Sequence, residues 1–264
     1  MSSRTLLSGV VFVLAIGFVA ACDEPKPKAD ATAQKPSAKA SVAVVPPAPT
    51  PSATESVAPP KKKDVVCSKD PNVTLSDPKF EAEVRVQAQK PDGPLTKADL
   101  GKVKTLKLTE AKLDELDPCI FPLFTSVKGL YLPAGKIDDL TPLKTLTTIE
   151  SLRAAATNIK DLTPLAGLAK LDRLDIGRTP VKDLTPLSGL TNLTELQIDE
   201  TEVTDLAPIS KLKKLEMLQM KRTRISDLSP LKEIKSLKTL YIEGSSASGK
   251  AVGLGIPGLK VHDD

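Results

Sequence analysis

Leu171-Asp-Arg-Leu-Asp-Ile-Gly-Arg-Thr-Pro-Val-Lys-Asp-Leu-Thr-Pro-Leu-Ser-Gly-Leu-Thr-Asn192 is the clearest copy of a 22-residue phrase, and its repetition decides the fold. Successive copies open at Val127, Ile149, Leu171, Leu193, Leu215 and Leu237, always 22 residues apart. A period held without drift over six starts marks a solenoid, in which each unit touches only its neighbours. Within a copy, apolar residues fill positions 1, 4, 6, 11, 14, 17 and 20. Positions 4 and 6 alternate with polar residues, the period of a strand, so Leu174 and Ile176 point inward while Arg173 and Asp175 point outward. A divergent first unit opens at Val103 and takes 24 residues to reach Val127, which puts a two-residue bulge within Ile120 to Phe124. The expected sheet has seven parallel strands, about 30 Å along its stacking direction.

The return path is written in Asp183-Leu-Thr-Pro-Leu187. Asp139, Asp161, Asp205 and Asp227 hold the same place in other copies. The aspartate is expected to N-cap a short helical turn whose first positions tolerate proline, because proline has no amide to satisfy there. One carboxylate per repeat without companions makes a poor metal site. Thr157, Thr179, Thr201 and Thr223 mark position 9, where the chain leaves its strand; their hydroxyls are expected to bond to neighbouring turns.

A solenoid needs a cap, because its first repeat otherwise exposes half a core. Residues 67–102 are the natural N-terminal cap. Asp77 followed by Pro78 reads as a helix start, placing Phe80, Val84 and Ala88 on one face. The repeats run over 103–244, and 245–264 close the other end.

Residues 1–21 carry one charge, Arg4, and an apolar run from Val10 to Ala21, a signal-peptide pattern too short for a comfortable membrane span. Val19-Ala20-Ala21-Cys22 looks like a bacterial lipobox, in which Cys22 would be acylated; an ordinary secretory signal is the alternative. Residues 22–66 are rich in Pro, Ala and Lys and lack periodic apolar positions, so they read as a disordered tether. Net charge is +4, of which Arg4 contributes +1 and residues 22–66 contribute +2 (seven Lys against five acids). The folded part is left at +1, which argues against a nucleic-acid partner. With Cys22 assigned to lipid, Cys67 and Cys119 remain as a pair suited to a disulfide in an oxidising compartment; a buried free Cys119 in place of leucine is the alternative.

The pattern Leu-x-x-Leu-x-Leu-x-x-Thr-x-Val-x-Asp-Leu-x-Pro-Leu resembles the leucine-rich repeat of bacterial internalin-type proteins, from about Val103 to Ile242. Leu95-Thr-Lys-Ala-Asp-Leu100 looks like the lead-in of such repeats. The family usually has Asn at position 9, where this chain has Thr. The resemblance implies an α/β leucine-rich repeat solenoid with a curved parallel β-sheet on the concave side and short helical turns or 3-10 segments on the convex side. It also implies protein binding through the concave sheet, hence a surface or periplasmic binding lipoprotein.

Nothing in the sequence calls for catalysis, a cofactor or a metal. The only histidine is His262, and the glycines of Ser245 to Gly255 lack the Gly-Lys-[Ser/Thr] of a phosphate loop because Ala251 interrupts it. Outward strand positions are where a partner would be read, and large, directional side chains make the best anchors. Tyr131, Arg153, Arg173, Asp175, Met217 and Tyr241 are the candidate protein-binding residues. The expected protein is a monomeric, lipid-anchored binding module; an envelope scaffold or spacer without a concave-face ligand is the alternative.

Overall fold

The computed structural model describes residues 65–263. The signal peptide, Cys22 and nearly all of the tether lie outside them. The cap comes first: β1 (Asn72–Val73) pairs antiparallel with β2 (Leu95–Thr96), and between them runs α1 (Pro78–Ala88). Asp77 caps α1, its carboxylate accepting the Phe80 amide at 2.8 Å. Phe80 and Val84 are buried on the predicted face and Ala88 packs against it. After β2 comes the short α2 (Lys97–Leu100), opened by a reciprocal capping box between Thr96 and Asp99. Asp99 is buried yet fully engaged, with Lys90 Nζ at 2.8 Å, Thr96 Oγ1 at 2.6 Å and Lys102 Nζ at 3.0 Å. Above all the Lys90 bond, then those from Thr96 and Lys102, hold its carboxyl well below the usual range.

The solenoid sheet follows as β3 (Thr105–Lys107), β4 (Gly129–Tyr131), β5 (Ser151–Arg153), β6 (Arg173–Asp175), β7 (Glu195–Gln197), β8 (Met217–Gln219) and β9 (Thr239–Tyr241). All are parallel, and neighbours from β4 to β9 are matched at the 22-residue offset, so each repeat position forms a straight column. The seven apolar positions of the regular copies are at most 5% exposed. A buried leucine contributes about 1.5–3 kcal/mol, and because each faces leucines of the units on either side, the stack supplies burial that a single unit lacks. On the convex side the chain makes 3-10 turns, among them Thr141–Leu143, Thr163–Leu165 and Thr185–Leu187.

Three expectations are corrected here. First, among the described residues the sheet has eight strands: β10 (Lys260–His262) pairs with β9 within the stretch expected to be only a closing cap. Its partners lie 21 residues back (Lys260 opposite Thr239), so the pattern slips by one and disappears from a 22-residue count. Second, the aspartates do not N-cap the convex turns. Leu184 holds that place, and Asp183 sits one residue earlier, accepting the Thr185 amide at 2.7 Å across two residues. The helical stretch is too short to need a true N-cap bond, and an Asx-type turn satisfies the same amide. Third, the position-9 hydroxyls do not reach neighbouring turns. Thr157, Thr179, Thr201 and Thr223 donate to the carbonyl three residues back, Ala154, Ile176, Ile198 and Met220, at 2.7–2.8 Å.

Neighbouring turns are joined instead by backbone. Ala156, Arg178, Glu200 and Arg222, at position 8, have φ of 53–57°, the left-handed region that costs a non-glycine residue about 1 kcal/mol or more. That conformation aims each amide at the position-7 carbonyl of the following repeat: Ala156 to Gly177, Arg178 to Asp199, Glu200 to Lys221 and Arg222 to Glu243, at 2.7–2.9 Å.

The N-terminal end of the core is sealed by aromatic packing. The two-residue bulge forms a 3-10 turn at Phe121–Leu123, which buries Phe121 and Phe124 against Phe80 with ring centroids 5.7–6.0 Å apart. The exposed edge of β3 is covered by α1, whose Glu83 accepts the Lys107 amide at 3.2 Å. Cys67 and Cys119 form a disulfide across this junction, with Cα atoms 5.3 Å apart. Cys119 is half-buried, and the aromatic pair beside it fills the core.

Candidate functional site

Positions 3 and 5 stand on the outer face of the sheet, so strand register places their side chains in two columns. The position-5 column runs Lys107, Tyr131, Arg153, Asp175, Gln197, Gln219, Tyr241, His262. In the position-3 column the first three residues are small: Thr105, Gly129 and Ser151. A Cβ on Gly129 would stand 3.3 Å from Cε2 of Tyr131, so the tyrosine ring folds back over its own strand where no side chain opposes it. Beside that ring the face dips into an open depression of about 280 Å³, bounded by Tyr131, Ser151, Arg153, Arg173, Asp175 and Glu195.

Four of the six candidate residues therefore meet at one place. Arg153 and Arg173 keep 53% and 59% of their side chains exposed, which leaves their guanidinium groups available. Arg153 Nε lies 3.1 Å from Asp175, whose other oxygen accepts the Gly177 amide at 3.0 Å. Asp175 is thus a fixed carboxylate that orients Arg153. Arg173 leans on the adjacent Asp172 at 3.3 Å. Exposed pairs of this kind contribute about 0–1 kcal/mol, so an incoming carboxylate can compete for either arginine at little cost.

Met217 and Tyr241 do not line this depression. The Met217 thioether receives the Gln219 amide at 3.8 Å. Tyr241 belongs to a separate group at the C-terminal end, stacked on His262 with centroids 4.4 Å apart and with Lys221 Nζ 5.3 Å from its ring. Lys221 also pairs with Glu243 at 2.7 Å, and that bond is the first cause raising the lysine and lowering the glutamate from their ordinary pKa values. Asp199, half-buried beside this group, accepts the Lys221 amide at 2.7 Å, and burial pushes its carboxyl upward.

Sequence reasoning did not single out Gly129, Ser151 or Glu195 as site residues. For Gly129 and Ser151 the signal was present as a run of small residues in the position-3 column, legible only once the column is known to be straight; Glu195 left no such mark.

Against solved structures, the chain is similar to internalin C2 of Listeria monocytogenes, with 28% identity over 71% of this chain and 93% of that one, TM-score 0.58. The chain is a bacterial leucine-rich repeat protein with internalin-type repeats. A second internalin of the same organism, inlF, shares the fold at 22% identity and TM-score 0.57, and this leucine-rich repeat protein spans 62% of its length. No family model and no curated protein matches the sequence. No helix among the described residues of the repeat protein is long and apolar enough to cross a membrane.

Proposed function

We propose that this leucine-rich repeat protein is a membrane-anchored module of the bacterial envelope that binds another protein through its concave sheet face, without catalysis. The observation that carries the reading is the grouping of Tyr131, Arg153, Arg173 and Asp175 around one open depression on that face. The core columns are fixed by packing, whereas these side chains stand on the outer face, with Arg153 and Arg173 more than half exposed. Tyrosine and arginine at the centre of a shallow, rigid surface are the residue types that dominate protein recognition. The resemblance to internalin-type repeats points the same way, and Val19-Ala20-Ala21-Cys22 supports a lipid anchor.

The test is reversal of both arginines. Arg153→Glu with Arg173→Glu should abolish capture of a reproducible partner from envelope extract while the circular dichroism spectrum stays that of the wild type. A wild-type protein that captures nothing reproducible, or a double variant that captures the same partner equally well, contradicts the reading and favours a spacer. In the same cells Cys22→Ala should move the protein from the membrane to the soluble fraction; unchanged membrane retention contradicts the anchor.

A further inference from the structure

Charge is distributed unevenly along the sheet face. Over β3 to β5, positions 2, 3, 5 and 7 hold Lys104, Lys107, Lys128 and Arg153 against Glu150 alone, a net of +3. Over β6 to β9 the same positions hold Asp172, Asp175, Glu195, Asp199, Glu216 and Glu243 against Arg173, Lys221 and Lys238, a net of −3. Pairing cancels much of this: Lys128–Glu150 at 2.8 Å, Arg153–Asp175 at 3.1 Å, Arg173–Asp172 at 3.3 Å, and Lys238–Glu216 and Lys221–Glu243 at 2.7 Å. Four charges are left over. Lys104 and Lys107 stand exposed at β3, and Glu195 and Asp199 stand half-buried at β7, Asp199 with one oxygen already on the Lys221 amide; none of the four is in a salt bridge among the described residues.

β3 and β7 are four strand spacings apart in the sheet order, about 19 Å at roughly 4.8 Å per strand. An extended polypeptide covers that distance in about six residues. The Tyr131 ring and the depression floored by Ser151 lie between the two ends. Resting on the concave-face reading, we propose that the partner presents a bipolar segment across the strands, with a carboxylate over Lys104 and Lys107 and a cation over Glu195 and Asp199, about six residues apart. Such a segment has one favoured direction. A uniformly acidic segment meets repulsion at β7, and a uniformly basic one meets it at β3, so the face both attracts and rejects by charge.

The experiment titrates isotope-labelled full-length protein with three eight-residue synthetic probes, followed by NMR. One carries two glutamates and two lysines at opposite ends of a Gly/Ser spacer, and the others carry four glutamates or four lysines in those places. The bipolar probe should bind about tenfold more tightly than either uniform probe, the worth of two exposed ion pairs. A nitroxide on its acidic end should broaden the amides of Lys107 and Tyr131, and one on its basic end those of Gln197 and Gln219. In Lys104→Glu with Lys107→Glu, the bipolar probe should lose its advantage over the lysine probe. Equal affinity of the three probes, the same broadening from either end, or no effect on the strands overturns the proposal. Directionless binding to the strands defeats the bipolar assignment alone, whereas loss of concave-face recognition is read separately, by partner capture in the Arg153 and Arg173 double variant.

Discussion

Replacing Thr179 by Val removes one hydroxyl and almost no volume, which isolates the bond that shapes the turn after each strand. Thr179 is 3% exposed and its Oγ1 donates to the Ile176 carbonyl at 2.7 Å. Thr179→Val leaves that buried carbonyl without its donor, a loss of about 1–3 kcal/mol. For a folded part of this size that corresponds to a drop in Tm of about 4–8 °C for a 2 kcal/mol change. Urea unfolding followed by circular dichroism should therefore show a lower midpoint with an unchanged slope. Thr179→Ser keeps the hydroxyl and loses only a methyl group, about 0.8 kcal/mol, so it should fall between wild type and Val. Because each hydroxyl bonds inside its own repeat, Thr179→Val and Thr223→Val, two repeats and so about 10 Å apart, should combine with a coupling below about 0.5 kcal/mol. A Val variant as stable as wild type, a Ser variant weaker than Val, or a large coupling between the two sites would refute this account of the turn.

Two further predictions concern the cap. Cys67→Ser with Cys119→Ser opens a loop of 52 residues and should destabilise the cap end by about 4 kcal/mol in the chain-entropy model, seen as early hydrogen exchange in α1 while β6 to β8 stay protected. The folded pKa of Asp99 is depressed below the ordinary 3.8, so its stabilisation is whole at neutral pH, declines as pH falls below that ordinary value, and is gone below the folded pKa. Asp99→Asn should be less stable than wild type at pH 7, with the difference shrinking in acid; a difference that grows as pH falls contradicts the assignment.

The fold was legible because its main signal is local and repeated. Leu174 and Ile176 face inward in one copy, and the straight 22-residue columns make the same true of their counterparts. The helix behind Asp77 and the bulge ahead of Phe124 were equally readable, since capping chemistry and a two-residue insertion both leave marks in sequence. β10 was hidden by its 21-residue offset and by an apolar residue, Val261, that lies on the edge strand of the described sheet and stays 39% exposed. The left-handed position 8 was hidden because Arg178, Glu200 and Arg222 stand where glycine would have announced it. Their strain is offset by amide bonds to the next repeat, which no single copy contains.

The site was legible as columns and not as a place. Alternation alone put Tyr131, Arg153, Arg173 and Asp175 on the outer face, but it gave Met217 and Tyr241 equal standing. What separates them is room: Gly129 and Ser151 lower the surface beside Tyr131, whereas Tyr241 is occupied by His262 and Lys221.

The most direct measurement is photo-cross-linking in living cells with a benzophenone amino acid placed at Tyr131 on the concave face, and at Lys232 on the convex side as the control. Binding through the sheet predicts one discrete cross-linked protein from position 131, lost in the background of Arg153→Glu and Arg173→Glu, and none from position 232. The same adduct from both positions, or none from position 131 in cells that produce the protein at its normal level, would contradict it.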